Sequence, residues 1–133
     1  MQDDELTHKI IGCAYKVHNT LGQGFLEKVY ENALRIELVK HGLRVKQQEP
    51  ICVSYDGQVV GKYFADLWVE DSVIVELKAA QTISKEHEVK LVNYLSATGI
   101  NSGLLINFGS SVQVKRKFRE YKASPLKSIL SKD

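Results

Sequence analysis

Cysteine is scarce in this chain of 133 residues: only Cys13 and Cys52 are present, far apart and without a Cys-x-x-Cys spacing. That spacing argues against a disulfide framework, a zinc site and an iron–sulfur cluster. Both thiols sit in apolar stretches and are expected to be buried and inert. No apolar run approaches the roughly 20 residues of a membrane-spanning helix, so no membrane partner is expected. Internal repeats and low-complexity segments are lacking too. The acidic start Met1-Gln2-Asp3-Asp4-Glu5 has no hydrophobic signal region, which reads as cytoplasmic. Neither sign of charge dominates, since 18 Lys and Arg against 16 Asp and Glu leave +2. This balance neither demands nor forbids a polyanionic partner. Lys115, Arg116, Lys117, Arg119, Lys122, Lys127 and Lys132 make the C-terminal segment basic, which suits either phosphate contact or a solvated face.

What remains is 44% hydrophobic and 26% charged, the composition of one globular domain spanning 1–133. A tail from about residue 123 is expected to fray. Apolar residues at helical spacing predict a helix from about Asp4 to Leu21, broken by Gly22-Gln23-Gly24, and a second from near Phe25 to His41-Gly42. Strands are predicted over Leu43 to Gln48 and Ile51 to Tyr55, separated by Pro50. Asp56-Gly57 is a hairpin turn leading into Val59 to Val69. Glu70-Asp71-Ser72 joins this strand to Val73 to Ala79. A third helix follows from the Ser84 N-cap to Thr98, closed by Gly99, then a buried strand Gly103 to Phe108 and an edge strand from Val112 to Tyr121. The predicted order is α-α-β-β-β-β-α-β-β.

Two carboxylates and one ammonium lie inside segments that otherwise read as buried strand. In Val73-Ile74-Val75-Glu76-Leu77-Lys78, alternation sends Glu76 and Lys78 to one face and Val75 and Leu77 to the other. Asp66 is the central acid of Tyr63 to Val69, and antiparallel pairing about the Glu70-Asp71-Ser72 turn brings it beside Glu76. Buried charges of this kind need a partner or a metal. Two carboxylates on neighbouring strands can share one divalent cation, and oxygen ligands suit Mg²⁺ or Mn²⁺. A structural Glu76–Lys78 ion pair is the plainer alternative. On the second helix, Glu27 projects within about 20° of Leu34 and Leu38, in line with an apolar stripe. It is either a helix-end residue favoured by the dipole or a third acid facing the hairpin, a role for which Glu31 competes.

Gly24-Phe25-Leu26-Glu27-Lys28-Val29-Tyr30, Val75-Glu76-Leu77-Lys78-Ala79, Asn93-Tyr94-Leu95, Ala97-Thr98-Gly99 and Leu104-Leu105-Ile106-Asn107-Phe108-Gly109 together resemble the GxxExxY protein family, over roughly Ile10 to Tyr121. That family is similar to the PD-(D/E)xK nuclease superfamily. The resemblance implies an α/β (α+β) fold with a restriction-endonuclease-like core, a central mixed β-sheet of about four strands flanked by helices. It also implies that Asp66, Glu76 and the backbone carbonyl of Leu77 are metal ligands and that Lys78 is the lysine of the core motif. Glu27 matches a glutamate that related exonucleases contribute to the same centre. The implied catalytic set is Glu27, Asp66, Glu76 and Lys78, with Mg²⁺ or Mn²⁺ as cofactor and nucleic acid, DNA foremost, as substrate. Where the family commonly carries a glutamine four positions before the tyrosine of the third helix, this chain has Lys90, with Tyr94 retained. Residues four apart share a helix face, so Lys90 and Tyr94 are expected to bind substrate, with His87 beside them. The competing expectation is a nuclease-fold module, inactive or weakly active, that binds nucleic acid or a partner protein. A homodimer or larger complex would suit so small a chain.

Overall fold

The computed structural model describes residues 1–120. Its elements are α1 (Asp3–Leu21), α2 (Glu27–Lys40), β1 (Val45–Tyr55), β2 (Gln58–Val69), β3 (Val73–Lys78), α3 (Lys85–Thr98), β4 (Ser102–Phe108) and β5 (Val112–Phe118). The strands form one mixed sheet in the order β1-β2-β3-β4-β5, five rather than about four. β3 and β4 run parallel and the other neighbours antiparallel. A parallel pair needs a long crossover, and α3 supplies it. The expected frayed tail and the last residue of the predicted edge strand lie outside the described residues.

Helices cover both faces. On one side Leu6, Ile10, Val17 of α1 and Tyr30, Leu34, Leu38 of α2 pack against the inward side chains of β2, β3 and β4. On the other, Leu91, Tyr94 and Leu95 of α3 cover Ile74 and Leu105. Burial on both faces explains the unbroken apolar runs of β3 and β4. Gly103 lets α3 approach β4, because a Cβ there would sit 2.9 Å from Leu91 Cδ1.

Two tight turns set the strand pairing. Asp56 and Gly57 both have positive φ (53° and 77°), and so do Glu70 and Asp71 (54° and 53°). Positive φ at both central residues is the hairpin turn whose twist matches that of its strands. Two expectations are corrected. Leu43 to Gln48 and Ile51 to Tyr55 are not separate strands, because β1 runs continuously through Pro50, which lies opposite Phe64. β1 is an edge strand, and an edge tolerates a residue without an N–H. Cys13 is buried as expected but Cys52 is exposed. Strand alternation turns Cys52 away from the face on which its neighbour Ile51 is buried.

Candidate active site

β2 and β3 pair at Val69↔Val73, Trp68↔Ile74 and Leu67↔Val75, and there the ladder stops. The next pair would be Asp66 with Glu76. Their carboxylates instead take over from the backbone: the Leu77 N–H donates to Asp66 Oδ2 at 2.8 Å, and the Asp66 N–H donates to Glu76 Oε1 at 3.4 Å. From this point β2 continues against β1 and β3 against β4. The sheet therefore opens into a fork with one acid on each prong. Backbone groups that lose a ladder partner must find another, and here the two acids serve.

Glu76 is only 7% exposed. Burial first, and the neighbouring Asp66 second, push its carboxyl up to about 9. Tyr94, on the overlying helix, is pushed up to about 12 by burial and then by Glu76 and Asp66. Burial also raises Glu27, Asp66 and Glu31 add to the rise, and Lys78 and Lys90 oppose it. The fold thus brings Glu27, Asp66, Glu76, Lys78, Lys90 and Tyr94 within electrostatic reach of one another. The Lys90 ammonium lies 5.6 Å from the centre of the Tyr94 ring.

Among the described residues, no ion pair includes Glu27, Asp66, Glu76, Lys78 or Lys90. The structural Glu76–Lys78 pair considered above is not formed. Nor do three His, Cys, Asp or Glu side chains, among the described residues, make a ready-built metal cluster. The arrangement is an Asp66–Glu76 pair flanked by Glu27. Its donors fit a hard divalent ion, since they are all oxygens and include a buried carboxyl that is in no salt bridge among the described residues.

The spacing Gly24-x-x-Glu27-x-x-Tyr30 has a local physical reason. The Tyr30 hydroxyl donates to the Gly22 carbonyl at 2.6 Å and accepts the Phe25 N–H at 3.2 Å. Its ring stacks on Phe108 with centroids 4.6 Å apart. Gly24 adopts φ 108°, a conformation that favours glycine. Together these hold the loop that delivers Glu27 as the first residue of α2. Glu31 does not compete for that role: it is buried, and its carboxylate is occupied by Lys28 at 2.9 Å and by the amides of Gln47 and Gln48.

Several other polar residues make structural contacts. His18 bonds the Gly109 carbonyl at 2.8 Å. His87 caps α3 reciprocally with Ser84, so its Nδ1 faces the backbone rather than a substrate. Arg116 and Lys117 pair with Asp4 and Glu88. Sequence reasoning missed two polar residues near the fork. Asn107, fully buried, holds both backbone groups of Ala80, just past Lys78, at 2.9 Å. Its signal was a lone amide in an apolar strand. Gln48 reaches Asp66, and a polar Gln47-Gln48 pair within a strand was the available hint. A cleft of about 830 Å³ lies between the β1–β2 hairpin and α3; Tyr63, Val89, Lys90 and Tyr94 line it but Glu27, Asp66 and Glu76 do not.

A family model described as the PD-(D/E)XK nuclease superfamily matches residues 4–120. No curated protein matches the sequence. Among solved structures, that of SSO0001 is similar at 15% identity and TM-score 0.59, covering 71% of this chain and 52% of that one. An alkaline exonuclease (LHK-Exo) from Laribacter hongkongensis is similar at 13% identity and TM-score 0.52, covering 70% of this chain and 56% of that one. At such identities the likeness is one of fold. The chain spans little more than half the length of either structure.

Proposed function

Because the chain belongs to the PD-(D/E)XK nuclease superfamily, we propose that it is a divalent-metal-dependent nuclease that hydrolyses phosphodiester bonds of DNA in the cytoplasm. The observation that supports this most is the fork. Two carboxyl groups from neighbouring strands are held against backbone N–H groups, and the buried Glu76 is in no salt bridge among the described residues. Asp66 and Glu76, with Glu27 and the Leu77 carbonyl, are the groups that would hold Mg²⁺ or Mn²⁺. When bound, such an ion supplies charge neutralisation at the phosphoryl oxygens and a more acidic water.

The remaining roles belong to the chain itself. Lys78 shares a sheet face with Glu76 and offers its ammonium to the attacking water and to the charge that develops on the phosphoryl group. Lys90 binds a backbone phosphate, a contact without sequence preference. Tyr94, kept protonated by burial and by the adjacent acids, is a hydrogen-bond donor for a phosphate oxygen.

Labelled single- and double-stranded DNA and RNA, incubated with Mg²⁺, Mn²⁺ or EDTA, test this reading. Cleavage is expected with metal only, and it is expected to vanish in Asp66→Ala, Glu76→Ala and Lys78→Ala. Undiminished cleavage in the Asp66 and Glu76 variants would refute the assignment. A second reading is a module of nuclease fold that binds nucleic acid or a partner protein, in a repair or defence complex, without cutting. Lys90 favours it, because a resident ammonium acting on Glu76 and Glu27 competes with a metal ion for the same charge. Mn²⁺ binding without cleavage of any substrate would select it.

A further inference from the structure

Gln48 occupies an unusual place in β1. Its neighbours pair regularly with β2, Gln47 with Leu67 and Glu49 with Ala65, which leaves Gln48 opposite Asp66 without a ladder pair of its own. Its φ is 54°, in the left-handed region. A non-glycine residue there is strained and persists only where the surroundings hold it.

What holds it is visible in its amide. Nε2 lies 3.0 and 3.2 Å from the two carboxylate oxygens of Glu31 and 3.1 Å from Asp66 Oδ1. An amide nitrogen has two hydrogens, one for each acid. Glu31, 2% exposed, is also fixed by Lys28 and Gln47, so it is an immobile anchor. Asp66 is then gripped at both oxygens, Oδ1 by Gln48 and Oδ2 by the Leu77 N–H. The carboxylate plane is set, and each oxygen keeps a lone pair for a cation.

We propose that Gln48 is a positioning residue that fixes the Asp66 carboxylate for divalent-cation binding, with the buried Glu31 as its anchor. This rests on the metal-binding reading of the fork. It adds a residue that neither the motif pattern nor the acids themselves indicate. Groups that orient metal ligands typically change affinity about 10–100-fold when removed.

The test is Mn²⁺ affinity, measured by calorimetry on the intact chain without nucleic acid, so that the outcome does not depend on cleavage. Gln48→Gly is the informative variant, since glycine adopts the left-handed conformation freely and only the amide is lost. Its Mn²⁺ affinity is expected to fall about tenfold or more, with the thermal midpoint in EDTA nearly unchanged. Glu31→Gln, which removes the anchor's charge and leaves Gln48 in place, is expected to weaken Mn²⁺ in the same direction. Parental affinity in Gln48→Gly would overturn the positioning role and leave the metal site standing. A parent chain that binds no Mn²⁺ would overturn both.

Discussion

Replacing Glu76 by glutamine should make the metal-free protein more stable, by an amount that depends on pH. In the fold the carboxyl is pushed up to about 9 from an ordinary value of 4.5, chiefly by burial and next by Asp66. The folded chain therefore holds this proton through neutrality, whereas the unfolded chain releases it near pH 4.5. Stability associated with the proton is fully present below the unfolded value and is lost as pH rises toward 9. At about 1.4 kcal/mol per pH unit, the parent has lost about 3 kcal/mol at pH 7. Glutamine resembles the protonated acid and does not titrate, so the variant keeps that stability. The difference between variant and parent should be near zero at pH 4.5 and about 3 kcal/mol at pH 7, or roughly 10 °C in thermal midpoint. Melting both proteins in EDTA from pH 4.5 to 8 measures it, and titrations of groups not coupled to Glu76 cancel in the difference. An offset that stays flat with pH, or a variant less stable than the parent at pH 7, would refute the reasoning. With Mn²⁺ present the order should reverse, because a cation must displace the proton from Glu76. Parental affinity should then rise about tenfold per pH unit below 9, and the variant should bind weakly.

Three further outcomes are expected. Tyr30→Phe removes the hydroxyl that bonds Gly22 and Phe25. It should cost about 1 kcal/mol in denaturant unfolding and weaken Mn²⁺ binding, because the loop before Glu27 loosens. Asn107→Ala strands both backbone groups of Ala80. A loss of about 2–3 kcal/mol in the same unfolding assay checks this. Lys90→Ala should weaken nucleic-acid binding equally across sequences and lower the salt slope by about 1, as read by fluorescence anisotropy over a range of NaCl.

The chain reveals much of this architecture before any coordinates. Helical spacing locates α1 and α2, apolar stretches locate β2, β3 and β4, the Ser84 cap and Gly99 bound α3, and glycine or turn residues mark the other ends. Acids inside apolar strands single out Asp66 and Glu76, since such placement is costly without a purpose. Pro50 misled the reading of β1, because whether a proline interrupts a strand depends on whether that strand lies at an edge. Cys52 misled for a similar reason: its exposure depends on which side of the hairpin α3 covers.

Local pattern establishes which residues carry charge into the interior, and it does so by itself, since hydrophobic periodicity and turn chemistry act over a few residues. Tertiary structure alone decides what those charges meet. The opening of β2 from β3 at Asp66, the binding of Glu31 by Lys28, Gln47 and Gln48, and the Gln48 amide shared between Glu31 and Asp66 join residues from α2, β1, β2 and β3. Hydrogen bonds between elements far apart in the chain leave no periodic trace in sequence, and only the packed fold brings their atoms within reach.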